Sequence, residues 1–149
     1  ELAQTLSATG AVAEDLAAGD VAGAGARQRR RELQHRTFAL SEAYDRATAA
    51  SREPRQSAER MWPAVVAAEE LAYRLLTACW AIERLGSEEG RRTAARMFGD
   101  GGLQALRQAL DDAVHAVAGN PLDSMPDNLP GFLEKEVRGL RRALESAVS

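Results

Sequence analysis

Cysteine, lysine and aromatic residues are scarce in this 149-residue chain. Each scarcity excludes something. A lone Cys79 permits no internal disulfide. That agrees with a reducing compartment without requiring one. Aromatics are only 5% of the residues, and runs of the β-branched and aromatic types that sheets favour are missing. No stretch alternates strictly between apolar and polar residues. No run of ~18 or more apolar residues occurs, so nothing reads as a bilayer span. No secretory signal is legible. A net charge of −3 supplies no global pull toward nucleic acid or anionic lipid. The chain begins at Glu1 rather than methionine, which leads us to expect a fragment of something longer. Its basic residues are Arg apart from Lys135, a bias that fits a GC-rich bacterial genome.

What is abundant is Ala, Leu, Val and Arg in helical phase. Apolar residues make up 45% of the chain, enough for one domain, residues 1–149, with its own core. The fold class expected is all-α: an up-and-down antiparallel helical bundle of about five helices, two of them long. The first helix spans roughly Leu2 to Ala18 on a broken stripe of Leu2, Leu6, Val12 and Leu16, weakened by Gly10. A second runs from about Val21 to Ser51, with a seam of Leu33, Thr37, Leu40, Tyr44 and Ala47. Pro54 then marks a turn. A third, from near Ser57 to Leu85, carries the strongest stripe: Ala58, Met61, Val65, Ala68, Ala72, Leu75, Cys79 and Ile82. Leu71, Leu76 and Trp80 widen it, so this helix should be central. Pro63 either sits in its first turn or kinks it. A short helical piece follows over Glu88 to Phe98. The fourth helix, Leu103 to Ala118, and the fifth, Gly131 to Val148, have seams built on Leu106, Leu110 and Val117, and on Leu133, Val137, Leu140 and Leu144.

Several constellations could carry chemistry. Glu32 with His35, echoed by Asp112 with His115, has the Glu-x-x-His spacing of di-iron bundles. Helical phase argues against it. Glu32 lies ~100° and His35 ~160° from the seam of their helix, and Asp112 and His115 also point away from theirs. Core ligands must point inward, so no metal residues are assigned. Arg27, Arg29, Arg30, Arg31 and Arg36 form a basic run. No aromatics are interleaved for base stacking, so nucleic acid is not expected. A solvated helix face is the plainer reading, and a membrane surface met through the Arg27–Arg36 face is the functional one. Cys79, on a seam, reads as a buried structural thiol. Trp62 and Trp80 read as core or interface anchors. Glu69 and Glu70 should pair with Arg74 and other arginines. No phosphate loop or nucleophile elbow is present. No catalytic, cofactor-binding or metal residue is assigned, and the chain is not expected to be an enzyme.

The segment from Arg46 to Arg74, RATAASREPRQSAERMWPAVVAAEELAYR, reads as a helix end, a Glu-Pro turn and a long Ala-rich helix with scattered charges. It resembles the cytosolic helical region of bacterial fusaric acid resistance proteins, the aromatic acid exporter-like (FUSC-type) family. The likeness extends more weakly over residues 1 to 115. In that family a block of transmembrane helices is followed by a soluble helical domain. The resemblance implies a cytoplasmic domain at the bacterial inner membrane, with a regulatory or assembly role in efflux. Its implied partner is the transmembrane part of its own parent protein, and a homo-oligomer is possible. It implies no site residues and no cofactor. The other readings are a free-standing helical protein–protein interaction module and, distantly, a metal-binding four-helix-type bundle.

Overall fold

Helical periodicity becomes helix along most of the chain. The structure, a computed structural model, describes residues 1–148. It is all-α, with α1 (Leu2–Ala17), α2 (Ala24–Thr48), α3 (Arg52–Arg84), α4 (Ser87–Phe98), α5 (Gly102–Val117) and α6 (Glu134–Val148). Six helices are present among the described residues, where about five were expected. The difference is α4, whose 12 residues looked like a fragment in sequence. It is a full element because Ala94 and Phe98 reach the core, and because Gly90 lets it press close to the Ile82 carbonyl of α3.

Boundaries follow local chemistry. Gly19, at φ 72°, ends α1 in the left-handed region and donates its N–H to Leu16 O. Arg91 of α4 lies where a Cβ on Gly19 would point, so the position requires glycine on two counts. The turn expected around Pro54 lies earlier, and α3 starts at Arg52. Proline fits the third helical position because first-turn N–H groups have no intrahelical partner to lose. Pro63 lies well inside α3 rather than in its first turn.

Helices α1, α2 and α3 alternate in direction, whereas α5 and α6 run parallel, with Gly102 beside Pro130 and Ala109 and Ala113 beside Val137 and Leu140. Thr5 lies beside Arg36, and Asp15 beside Arg29, which pairs α1 with α2. Ser41 bonds Glu69, and Arg27 bonds Glu83, which pairs α2 with α3. Glu14 meets Arg107, pairing α1 with α5. Arg74 meets Phe132 O, and α6 returns along α3. One buried cluster draws on all six helices.

Two helices are central, not one. α3 touches α1, α2, α4 and α6, as its long stripe suggested. α1 is enclosed by α2, α3, α4 and α5. Its Thr5 and Thr9 are fully buried because each hydroxyl donates to a carbonyl one turn back, Glu1 O and Thr5 O. Gly10, which looked like a weakness in sequence, is buried facing α5, with the Arg107 guanidinium and Leu110 lying over it.

The α2–α3 hairpin projects past this body. α1 begins near the level of Arg36, so the last turns of α2 have no α1 beside them. Between Arg52 and Pro63 only Ala58 is buried.

Candidate interaction face

The two sides of α3 differ in kind. Its inner side carries Leu71, Ala72, Leu75 and Cys79, each fully buried. Its outer line, at spacings of three and four, runs Glu59, Trp62, Val66, Glu70, Tyr73, Thr77, Trp80 and Arg84. Tyr73 is 67% exposed, and Trp62 and Trp80 are each 42% exposed. Helices pack through ridges about 100° wide, and this sector of α3 has no helix over it.

Phe38 of α2, 64% exposed, belongs to the same surface. Arg27, Gln34, Phe38 and Ser41 share one line of α2, and the two ends of that line reach Glu83 and Glu69 of α3. Phe38 therefore sits on the side of α2 turned toward α3, level with the turn of Tyr73. Further out, the Tyr44 and Trp62 rings stack at 4.2 Å with a tilt of 32°. On the opposite flank, Glu70 and Tyr73 border a shallow cleft with Glu136, Gly139 and Arg142 of α6. Four of the five exposed large apolar side chains lie on this face. The fifth, Leu85, follows the end of α3.

The basic run is not one solvated surface: Arg27 and Arg30 reach α3, whereas Arg29 and Arg36 reach α1. Arg30, expected outside, is 8% exposed. Its phase explains that: with Ala26 and Leu33 it continues the buried stripe of α2. It donates to Val21 O and, at 3.2 Å, to Glu83. Arg27 donates to the other oxygen of Glu83 at 2.7 Å. These contacts hold the Glu83 carboxyl below its ordinary range, the Arg27 hydrogen bond contributing most. Arg29 grips Asp15 through two nitrogens, at 2.6 and 2.9 Å. Arg36 bonds Glu32 and Gln4. Arg31 is exposed and bonds Gln28 on its own helix.

Other candidate residues scatter. His35 and His115 are exposed on different helices. Asp112, expected to point outward, is only 5% exposed. One of its oxygens accepts from Gln108 at 2.9 Å, and the other has no partner among the described residues. No group of three or more His, Cys, Asp or Glu side chains converges among the described residues. Glu69 and Glu70 do not pair with Arg74, which instead donates to Phe132 O. Glu69 accepts from Ser41 at 3.3 Å. Burial pushes its carboxyl up, and the Ser41 bond partly opposes that. Cys79 is fully buried, and burial pushes its thiol up to about 11, with the nearby Arg30 charge opposing. Trp80, expected to widen the inner face of α3, lies on the outer one.

Sequence reasoning did not single out Phe38 or Tyr73. The signal was present: Trp62, Val66, Tyr73 and Trp80 recur in helical phase on the side opposite the aliphatic stripe.

Comparison with known protein families, with curated proteins and with solved structures found no match. Among the described residues, no helix is long and apolar enough to cross a membrane.

Proposed function

We propose that this chain is a helical interaction domain without a catalytic centre, and that it works through the outer face of the α2–α3 hairpin. The observation that carries the reading is the gathering of Phe38, Trp62, Tyr73 and Trp80 on one exposed face. Single exposed apolar residues are ordinary, but clustered ones on a rigid surface mark binding. Aromatics dominate the centres of protein interfaces because they bury much area at little entropic cost. The face is held stiffly. Arg27 ties α2 to α3 at one end of it and Ser41 near its middle, and the aliphatic core lies directly beneath.

A second reading places this domain in a FUSC-type exporter, on the cytoplasmic side of the bacterial inner membrane, with a regulatory or assembly role. What supports it is the sequence resemblance. The segment Arg46–Arg74, which carries that resemblance, forms the end of α2, the projecting turn and the first two thirds of α3. The partner would then be the transmembrane block of the parent protein. A membrane-surface role for the Arg27–Arg36 stretch draws less support, because Arg27, Arg29, Arg30 and Arg36 are already engaged within the protein.

A photo-crosslinking amino acid placed in turn at positions 38, 73 and 80, in cells expressing the natural gene, tests the first reading. Position 92 on α4 serves as the control. A defined product from the three aromatic positions, absent at 92, is expected. No product at any of the three would overturn it. Several apolar segments of ~20 residues encoded upstream of Glu1 would support the exporter reading, and their absence from the parent gene would remove it.

A further inference from the structure

We infer that the occupant of this face is a second copy of the chain, with the two α3 helices packed antiparallel about a two-fold axis beside Tyr73. The inference rests on the interaction reading above and specifies its partner.

The outer line of α3 is self-complementary at its two ends when reversed. Its exposed aromatics stand near the two ends, Trp62 and Trp80, with Tyr73 between them. Its charges are opposite at the ends, Glu59 against Arg84. An antiparallel copy brings Trp62 against Trp80 of the second copy, and Glu59 against Arg84 of the second copy. A two-fold operation makes each of these contacts twice. Both charges are exposed, and neither has a partner among the described residues. A parallel copy would set Glu59 near Glu59 and Arg84 near Arg84, which is repulsive at both ends.

The flanking helices agree with the same axis. A two-fold lying in the interface, across α3, returns α2 to α2 and α6 to α6. Phe38 is level with Tyr73, so it meets Phe38 of the second copy near the axis. On α6, Glu136 and Arg142 lie three residues to either side of Gly139, in the cleft that Tyr73 also lines. Reversal sets Glu136 against Arg142 of the second copy. Gly139 has open space where a Cβ would project, apart from the tip of Arg142 at 4.0 Å.

The size also fits. From Glu59 to Arg84 the line is about 38 Å long at ~1.5 Å per residue. Three neighbouring helices at ~10 Å spacing make it about 20 Å wide. The product is close to the ~800 Å² that each partner buries in a stable interface.

The test is sedimentation of the purified chain across micromolar to hundred-micromolar concentrations. A concentration-dependent dimer is expected. Glu59→Arg and Arg84→Glu should each weaken it about tenfold or more, because each places like charges together at two symmetric sites. The double variant should return to within about threefold of the parent. Tyr73→Glu should abolish the dimer at these concentrations. Circular dichroism should show all four variants equally helical, since these side chains lie outside the core. Two outcomes overturn the inference. One is a chain that stays monomeric throughout. The other is a dimer in which the double variant is no tighter than the singles, which would mean another register. A monomeric chain that still crosslinks at position 73 to a different protein would overturn the second-copy partner alone and leave the interaction reading standing. A chain that neither dimerises nor crosslinks at positions 38, 73 and 80 would overturn both.

Discussion

The inner and outer faces of α3 both carry large apolar side chains, yet they are built from different residues. Inside stand Leu71, Ala72, Leu75 and Cys79; outside stand Trp62, Tyr73 and Trp80. Aliphatic side chains of graded size let α1, α2 and α6 approach closely and interlock. Large amphipathic rings tolerate water on one edge and still offer wide contact area. Side-chain shape, more than hydrophobicity, thus separates the positions that hold the bundle from those left exposed. The difference can be attacked from either side by substitution.

The largest effect should come from the inner face. Leu75→Asp places a carboxylate at a fully buried site among aliphatic side chains. A lone buried charge costs several kcal/mol, enough to unfold a domain whose total stability is ~5–15 kcal/mol. Circular dichroism at 25 °C should show a largely unfolded chain. A cooperative melt near that of the parent would mean that α3 does not present Leu75 to the core.

Next is the bridge at the hairpin base. Glu83→Ala leaves Arg30 buried with only the Val21 carbonyl as partner. Removing one partner of a buried pair costs more than the pair contributed, and Glu83 is itself partly exposed, so about 2 kcal/mol is expected. Urea unfolding measures it. The pH dependence follows from the lowered Glu83 carboxyl. Its stabilisation is present above the ordinary carboxylate pKa and is lost as pH falls through the folded value. The deficit of Glu83→Ala should therefore shrink on acidification.

Helical phase made much of this architecture legible. The stripe over Val65, Ala68, Ala72, Leu75, Cys79 and Ile82 is buried as its spacing implies, and so are Leu133, Val137, Leu140 and Leu144. Two of the failures share one physical cause, residue type weighed before helical phase. Arg30 was grouped with its charged neighbours, although its spacing from Ala26 and Leu33 places it in the seam. Trp80 was sent inside as an aromatic. Asp112 fails for another reason: it lies off the seam of Leu106, Leu110 and Val117, yet the buried sector of α5 is wide enough to take in the line of Ala105, Ala109, Asp112 and Ala116. α1 was hidden differently: Thr5, Thr9 and Gly10 carry no hydrophobic signal, and only tertiary contact encloses them. The candidate face was the least legible, because an exposed aromatic has the same letter as a buried one.

A smaller effect should separate the two faces chemically. The Cys79 thiol, pushed up to about 11, is both inaccessible and protonated at neutral pH. Iodoacetamide at pH 8 should label it only after denaturant unfolds the chain. Fast labelling of the native protein would mean that the inner face opens. Glu69→Gln lies at the border between the faces and should raise stability slightly at pH 7, by less than ~1 kcal/mol, since burial disfavours the charged form. The sign is set by the raised carboxyl: the parent gains stability as pH falls through the folded value toward the ordinary one. Parent and variant melting temperatures should therefore converge near pH 4. A variant that stays ahead at low pH would show that charge is not the cause.

The smallest effect on the fold should come from the outer face itself. Trp80→Ala removes the largest kind of side chain, and such a change in a core costs roughly 3–5 kcal/mol. Here the ring is already 42% exposed and no helix packs over it. On dilution to monomer, the variant should unfold within about 0.5 kcal/mol of the parent, as surface changes do. At high concentration the same substitution should lower the parent's melting temperature, because the parent alone gains stability from association. The two concentrations together decide what the ring is for. A large loss in the dilute monomer would place Trp80 among the residues that hold the bundle. A loss that appears only with rising concentration would assign it to the interface, and the chemical difference between the two faces of α3 would then be a difference of role.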